Sequence, residues 1–126
     1  MHRSRVRAVL IDVPEPDFAA SVAFWAKALG RDPNRDATEA RPYLSLMPND
    51  RGIRFTFQRI DGPARFHLDI ETDDVDAEVR RLEAAGADVV ERTGDWVVLS
   101  DPAGLLLCVI PVDSSDFDEA ATSWTG

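Results

Sequence analysis

The feature that most constrains the fold is an internal repeat, in which two stretches of the chain share a pattern at a constant offset of 57 residues. The apolar segment Val9–Val13 recurs as Phe66–Ile70, and a helical pattern that begins at Asp17 recurs as one that begins at Asp74. Each copy then continues into short apolar runs that are typical of strands. In a chain of 126 residues, such a repeat predicts two half-domains that together build one site.

The first copy is predicted to run from a strand into a helix. The strand, Arg7–Val13, ends before Pro14 and Pro16, because proline cannot donate to a ladder of backbone hydrogen bonds. Asp17 is then predicted as the N-cap of the helix, and Gly30 is predicted as its left-handed C-cap.

The remaining elements are predicted from apolar patterns and turn residues. Strands at 43–47 and 53–59 complete the first copy, and Arg31–Pro42 is predicted to be a loop, with a weak edge strand as an alternative. In the second copy, Asp74 caps a helix that ends at Gly86. The strands predicted for the second copy are 66–71, 89–90, 96–99 and 105–111.

Length and a hydrophobic content of 44% fit a single α+β domain with one moderate core. Within residues 1–126, module one is predicted at about 5–60 and module two at about 65–112. The C-terminal tail, 113–126, is acidic and poorly patterned, and only Trp124 indicates that it docks on the rest of the chain.

Charge and apolar content exclude several classes of partner. The formal charge of −9 argues against nucleic acid, whose phosphates would be repelled, and favours a neutral or cationic small molecule. A solvated acidic surface with no role in binding is the alternative. No apolar run approaches the ~20 residues of a membrane span, so no membrane partner and a cytoplasmic location are predicted. The single cysteine, Cys108, excludes an internal disulfide and a cysteine-rich zinc site.

Alternation along the predicted strands separates a helix-side face from a mixed face. The helix-side residues are Val9, Ile11, Val13, Ile53, Phe55 and Phe57 beneath the first helix, and Phe66, Leu68 and Ile70 beneath the second. Phe24 and Trp25 are predicted to join the helix–sheet core and the contact with the adjoining module. The mixed face carries the candidate ligand-binding residues Asp12, Arg54, Thr56, Gln58, His67, Asp69, Leu106 and Cys108, with Trp96 as an aromatic wall.

Several side chains of the mixed face have alternative roles. His67 is a general base or a ligand, or it satisfies a local hydrogen bond. Cys108 beside His67 would form a thiolate–imidazolium pair, or it is a small buried hydrophobe. Asp12 and Asp69 are repeat mates that would recruit a cation, or one of them pairs with Arg54 in a structural ion pair.

The order and spacing of several segments resemble the vicinal oxygen chelate superfamily, and within it the small glyoxalase-like domains related to bleomycin-resistance proteins. The segments that carry the resemblance are 10–13, 23–25, 29–30, 57–59, 67–69, 82–86 and 101–104. The resemblance implies two βαβββ modules whose curled mixed sheets form a shared cavity, and it implies a homodimer.

Metal-dependent members of that superfamily carry His, Gln or Glu at four inward strand positions, which correspond here to Leu10, Thr56, His67 and Cys108. Only His67 is a usual ligand at its position, so no metal cofactor is expected. The alternative is a divalent ion, Zn, Ni, Mn or Fe, held by His67, Cys108 and an aspartate.

The sequence therefore predicts a small-molecule-binding glyoxalase-like protein that lacks the superfamily's complete metal site and sequesters a cationic or aromatic compound. The alternative is an enzyme, a lyase, isomerase or dioxygenase that acts on a small oxygenated substrate. Its chemistry would use a metal, or acid–base catalysis by His67 and Asp69. Divalent-metal binding would separate the two hypotheses.

Overall fold

The computed structural model describes residues 1–35 and 42–125, which form eight strands and three helices. The strands are β1 (His2–Pro14), β2 (Tyr43–Ser45), β3 (Arg54–Ile60), β4 (Arg65–Thr72), β5 (Asp88–Thr93), β6 (Trp96–Ser100), β7 (Leu106–Pro111) and β8 (Thr122–Trp124). The helices are α1 (Glu15–Leu29), α2 (Val75–Ala85) and α3 (Phe117–Ala120). The predicted α+β class is confirmed. No helix in the described ranges has the length and apolar character needed to cross a membrane.

The repeated order of elements is visible in the fold. β4, α2, β5, β6 and β7 form the predicted βαβββ unit in the second copy, whereas the described residues of the first copy form β1, α1, β2 and β3, one strand fewer. Pro33 adds an isolated bridge to Leu46 in the first copy. The predicted loop at 31–42 is described only in part, because residues 36–41 lie outside the described residues.

The chain divides into two compact units. The N-terminal unit is Ala8–Phe66, and the C-terminal unit consists of Met1–Arg7 and the residues from His67 onward. In the N-terminal unit, β1 runs parallel to β3, which pairs antiparallel with β2. In the C-terminal unit, β4 runs parallel to β7, and β7, β6 and β5 pair antiparallel in that order. Each copy therefore pairs its first strand with its last.

Each unit has its own apolar core. The core of the N-terminal unit consists of Ile11, Val13, Phe18, Val22, Leu46 and Phe57. The core of the C-terminal unit consists of Val79, Val97, Leu99 and Val109. Alternation correctly predicts that Ile11, Val13 and Phe57 pack with the apolar residues of α1. Removal of this apolar surface from water stabilises the fold by roughly 25 cal/mol for each Å² buried.

Several apolar residues predicted to be covered are exposed instead. Phe66 and Phe24 are 58% and 62% exposed, and Ile53 and Leu68 are exposed as well. Phe66 contacts the ring of Trp25 edge to face, at 6.1 Å between centroids, rather than lying beneath α2. Trp25 itself packs against the core, as predicted. Alternation fixes the side of the sheet that a residue faces, but not whether a helix extends far enough to cover it.

The predicted N-cap of α1 is wrong. The helix begins at Glu15, with Pro14 at the N-cap position and Pro16 in the first turn. Proline is tolerated there because the first N–H groups of a helix have no partner within the helix. Asp17 therefore lies inside the first turn, where its negative charge interacts favourably with the positive end of the helix dipole. Asp74 does cap α2, and its side chain accepts a hydrogen bond from the α2 backbone at 3.0 Å.

Both predicted C-caps are confirmed. Gly30 and Gly86 have φ angles of 66° and 119°, in the region that side chains with a Cβ rarely adopt. The Gly30 N–H donates to the carbonyl of Ala26 and so satisfies one of the last carbonyls of α1.

β1 begins at His2, well before the predicted start at Arg7, because its basic residues have acidic partners and are not solvated. Arg5 Nε lies 2.6 Å from Glu71 Oε2, and Arg5 Nη2 lies 2.6 Å from Asp116 Oδ1. Arg7 pairs with Asp113. Alternating charged residues in a sequence usually indicate a segment exposed to solvent. Arg5 and Arg7 are largely buried instead, because each forms an ion pair.

The C-terminal tail is more regular than its sequence pattern indicates. It forms α3 and β8, and β8 pairs antiparallel with His2–Ser4. The prediction that Trp124 docks is confirmed, because its Nε1 donates to Ser4 Oγ at 2.8 Å and Arg81 lies over its ring.

Candidate functional site

Three side chains with metal-ligating atoms meet on the C-terminal unit. One ligand atom of each of His67, Asp69 and Cys108 lies within 4.8 Å of the other two. His67 Nε2 lies 3.7 Å from Asp69 Oδ1, and the two side chains are 11% and 13% exposed. Cys108 is also partly buried. The cluster is sheltered from most of the solvent but remains reachable.

The register of β4 and β7 brings the three residues together. Asp69 lies opposite Cys108 in the parallel pair. His67 precedes Asp69 by two residues, so both side chains leave β4 on the same face. Neighbouring strands are about 4.8 Å apart, which explains why side chains at paired positions are within reach of one another.

The equivalent positions of the N-terminal unit have different chemistry. Leu10 lies opposite Thr56 in the parallel pair of β1 and β3, and both side chains are buried. Ser45 lies on the other side of Thr56, and the two hydroxyl oxygens are 2.8 Å apart. Leu10 has no coordinating atom, and the two hydroxyl groups hydrogen-bond to each other.

Asp12 is fully buried and forms an ion pair. Its Oδ2 accepts a hydrogen bond from Arg65 Nε at 3.2 Å, and the Arg65 side chain is 54% exposed. One of the two repeated aspartates is thus in an ion pair with an arginine, but the fold shows Arg65 as a partner, whereas the sequence prediction named Arg54. Gln58 lies opposite Asp12, and Arg54 lies opposite Ala8, on β3.

The other predicted residues of the C-terminal unit lie along its strands. Leu106 precedes Cys108 on the same face of β7, opposite Ser100. Trp96 begins β6 at the hairpin with β5, opposite Thr93, where its ring is exposed.

A cavity that sequence reasoning missed lies within the N-terminal unit. Its volume is about 300 Å³, and its lining consists of Ile11, Asp12, Val13, Asp17, Ser21, Trp25, Ala64, Arg65 and Phe66. Asp17, Ser21 and Trp25 recur every four residues, which places them on one face of α1. That spacing could have been recognised in the sequence. Only the folded chain shows that this face of α1 lies beside the end of β1 and residues 64–66.

The donor set of the C-terminal cluster can be compared with what a metal needs. A tetrahedral zinc ion with ligands at about 2.0–2.1 Å would separate a nitrogen from an oxygen ligand by roughly 3.4 Å. The distance of 3.7 Å between His67 and Asp69 is close to this value. Imidazole, carboxylate and thiolate are all zinc ligands, so the three side chains fit a divalent ion with small adjustments.

Comparisons with solved structures relate the fold to known proteins. The Mn(II)-bound glyoxalase from Novosphingobium aromaticivorans has a TM-score of 0.62 and 22% identity, over 90% of this chain and 41% of that one. Methylmalonyl-CoA epimerase from Mycobacterium tuberculosis has a TM-score of 0.59 and 15% identity, over 91% of both chains. A glyoxalase/bleomycin resistance protein/dioxygenase superfamily member from Vibrio splendidus 12B01 has a TM-score of 0.53 and 15% identity, over 85% of this chain and 98% of that one.

These likenesses show the fold. The chain spans about two fifths of the length of the Novosphingobium glyoxalase. No curated protein sequence matches the chain. A family model described as a glyoxalase-like domain matches residues 8–110, which is most of the chain and includes both copies of the repeat. The chain therefore belongs to the glyoxalase-like domain family of the vicinal oxygen chelate superfamily, as its sequence motifs predict.

Proposed function

We propose that this glyoxalase-like protein binds a small aromatic cation in the cavity of its N-terminal unit and acts by sequestering it. The observation that carries the proposal is the lining of that cavity, which includes the aromatic residues Trp25 and Phe66 and the acidic residues Asp12 and Asp17. A volume of about 300 Å³ is at the lower end of the range for small-molecule sites.

The charges of the lining favour a cation over an anion. Asp12 and Asp17 contribute two carboxylates, and Arg65 contributes one guanidinium. Because Arg65 already pairs with Asp12, the carboxylate of Asp17 supports attraction of a positive group. The net charge of −9 acts in the same direction at longer range.

The aromatic rings favour a flat or quaternary group. Trp25 and Phe66 both line the cavity, and Phe66 is 58% exposed, so an aromatic ligand or an ammonium group in the cavity would lie beside aromatic rings. Such cation–π contacts contribute about 0.5–1 kcal/mol at exposed sites and more when water is excluded. The fold likeness to a protein of the glyoxalase/bleomycin resistance/dioxygenase superfamily is consistent with sequestration. Homodimerisation and a cytoplasmic location stay predictions.

The test is a calorimetric titration with benzyltrimethylammonium, and with phenylacetate as a ligand of similar ring and opposite charge. The cation should bind at least about fivefold more tightly, because a favourable charge contact of about 1 kcal/mol corresponds to that ratio. Phe66→Leu and Asp17→Asn should each weaken binding of the cation by about three- to tenfold.

Phe24→Leu is the matched control, because Phe24 is an exposed phenyl group beside Trp25 that does not line the cavity. It should leave the affinity within about twofold, since it removes no ligand contact. Equal affinity for both ligands, or equal effects of Phe24→Leu and Phe66→Leu, would contradict the proposal.

The second candidate function is catalysis on the C-terminal unit. The observation that favours it is the sheltered cluster in which His67 Nε2 lies 3.7 Å from Asp69 Oδ1, with Cys108 within 4.8 Å. A lyase, isomerase or dioxygenase of this family would turn over 2-oxoaldehydes or catechols, and His67→Ala would abolish turnover while Phe66→Leu would not. Absence of turnover with and without added divalent metal would reject this candidate.

A further inference from the structure

We propose that the ligand of the N-terminal cavity carries a flat amidinium or guanidinium group, which replaces the guanidinium of Arg65 on the carboxylate of Asp12. Arg65 is then a built-in competitor that turns towards solvent when the ligand binds. The inference rests on the proposed function, because it places the ligand in the same cavity, and it adds the chemical class of the cationic group. Both residues belong to the N-terminal unit, so the exchange takes place within one unit.

The first argument is the burial of Asp12. This residue lines the cavity, but its side chain is 0% exposed. A ligand in the cavity therefore reaches the carboxylate only if a neighbouring side chain moves. Arg65 lines the same cavity, donates a hydrogen bond to Asp12 Oδ2, and has a side chain that is 54% exposed. Because a long charged side chain extends readily into water, Arg65 is the neighbour that can leave.

The second argument is the length of the bond that the ligand would replace. Arg65 Nε lies 3.2 Å from Asp12 Oδ2, whereas hydrogen bonds between charged nitrogen and oxygen groups are usually about 2.7–2.9 Å long. The pair Arg59–Glu15 of the same unit is at 2.7 Å. Arg65 is fixed to the backbone at the first residue of β4, so a small unattached cation can approach the carboxylate of Asp12 more closely than Arg65 does.

The third argument is donor chemistry, which decides between cationic groups. A buried carboxylate is costly unless it is paired and accepts hydrogen bonds. A quaternary ammonium group has no N–H, so it cannot replace the hydrogen bond that Arg65 gives up. An amidinium has planar N–H groups like those of guanidinium, and it can donate two parallel hydrogen bonds to one carboxylate. The aromatic residues Trp25 and Phe66 in the lining favour a ring attached to that group.

The experiment compares benzamidine with benzyltrimethylammonium by calorimetric titration of the full chain. Both probes have a phenyl ring and a single positive charge at neutral pH, but only benzamidine has N–H donors. Benzamidine should bind to the wild type at least about tenfold more tightly, because only benzamidine satisfies the carboxylate of Asp12 once Arg65 has left.

Arg65→Met removes the competitor and keeps a long side chain. It should strengthen benzamidine binding at least about tenfold, because no hydrogen bond to Asp12 has to break first. Benzyltrimethylammonium should gain less than about threefold, through the loss of a like charge alone. Arg59→Met is the matched control, because Arg59 is an ion-paired arginine of the same unit that does not line the cavity. It should leave both affinities within about twofold.

The two carboxylates of the lining should differ in the ratio of the two affinities. Asp12→Asn should reduce the preference for benzamidine to within about twofold, because the variant lacks the charged acceptor of two parallel hydrogen bonds. Asp17 is exposed, so water satisfies its carboxylate whichever cation is bound. Asp17→Asn should therefore weaken both cations together and leave the ratio within about twofold of that of the wild type.

A measurement by nuclear magnetic resonance follows Arg65 in the wild-type protein. The Nε–H resonance of Arg65, assigned by its loss in Arg65→Met, should shift and exchange faster with water when benzamidine is added, and benzyltrimethylammonium should not change it. Benzyltrimethylammonium binding as tight as that of benzamidine, equal effects of Arg65→Met and Arg59→Met, or an unchanged resonance at saturating benzamidine would overturn this inference and leave sequestration intact. If neither cation binds, sequestration itself is overturned, and this inference with it.

Discussion

The two copies of the repeat place a carboxylate at the same position and use it differently. Asp12 in β1 is fully buried and pairs with Arg65, whereas Asp69 in β4 is 13% exposed and lies beside His67 and Cys108. The residue two positions before the aspartate also differs between the copies. It is Leu10 in β1, whose side chain has no coordinating atom, and His67 in β4, whose side chain has two. The copies share a scaffold, but among the described residues only the second brings three ligand-type side chains together on its parallel strand pair.

The two units also differ in the burial of their ion pairs. In the N-terminal unit, the pairs Arg65–Asp12 and Arg59–Glu15 each include a partner that is largely exposed. The C-terminal unit also has exposed pairs, such as Arg3–Asp118, but in its pairs Arg5–Glu71 and His2–Glu78 both partners are largely buried. A duplicated fold can thus keep its backbone pattern while its two halves rely on different interactions.

Glu71→Ala should have the largest effect on the stability of the C-terminal unit. Glu71 is fully buried, pairs with Arg5 at 2.6 Å, and accepts hydrogen bonds from the backbone N–H groups of Asp113 and Ser114. Removal of one partner of a buried ion pair costs about 3–5 kcal/mol. Urea unfolding at neutral pH measures the loss.

Glu83→Ala is the control for Glu71→Ala, because Glu83 is exposed on α2. Its effect on the free energy of unfolding should be within about 0.5 kcal/mol. A loss below about 1 kcal/mol for Glu71→Ala would show that the buried ion pairs do not distinguish the two units.

The repeat mates themselves give a direct test of the comparison. Asp12→Ala should destabilise the protein by about 1–3 kcal/mol, because it removes a buried carboxylate that accepts a hydrogen bond. Asp69→Ala should destabilise the protein less than Asp12→Ala does, because the Asp69 side chain is 13% exposed and keeps some contact with solvent, whereas Asp12 is fully buried. Thermal and urea unfolding of both variants measure the difference. Equal losses would mean that both aspartates are structural.

Trp124→Phe should have a smaller effect, through the docking of the tail. The substitution removes the hydrogen bond from Trp124 Nε1 to Ser4 Oγ and keeps an aromatic ring near Arg81. The expected loss is about 0.5–1.5 kcal/mol, measured as a shift in melting temperature. Trp96→Phe is the control at an exposed indole of the same unit, and an equal shift for the two variants would argue against docking of the tail through this bond.

Acidification should lower the free energy of unfolding of the C-terminal unit, because Glu78 becomes protonated at low pH and is charged at neutral pH. Burial acts to raise the pKa of Glu78, but hydrogen bonds from Arg81, His2 and Ser4 outweigh it and lower the pKa below the ordinary value of 4.5. A lowered pKa means that the charged form contributes stability above pH 4.5, and that this contribution is lost as the pH falls through the lower, folded-state value.

Urea unfolding of wild type and Glu78→Gln at about pH 7 and about pH 3.5 tests this expectation. The variant should be less stable than wild type at neutral pH, and the difference should shrink in acid. A difference that stays constant with pH would mean that the charge of Glu78 does not contribute to stability.

Much of the fold follows from local patterns. The repeat, the C-caps Gly30 and Gly86 and the N-cap Asp74 are all recognisable because each depends on residues within a few positions of one another. One failed prediction, the N-cap of α1, is a local conflict between two rules, because the helix begins with Pro14 and Pro16 ahead of the expected cap Asp17.

The early start of β1 could not be predicted from its own residues. Arg5 and Arg7 make the segment look solvated, and their partners Glu71, Asp113 and Asp116 lie far along the chain. Only the folded chain shows that those charges are paired and buried.

The sequence by itself determined the family, the repeat and the face on which His67, Asp69 and Cys108 lie, because side-chain alternation and turn chemistry are properties of short segments. The tertiary structure decided that Asp69 and Cys108 are directly opposite each other and that Trp25 meets Phe66. Both facts depend on pairing between segments that are distant in the chain. The free energy of such pairing comes from the whole core, so no local pattern encodes the register that creates the site.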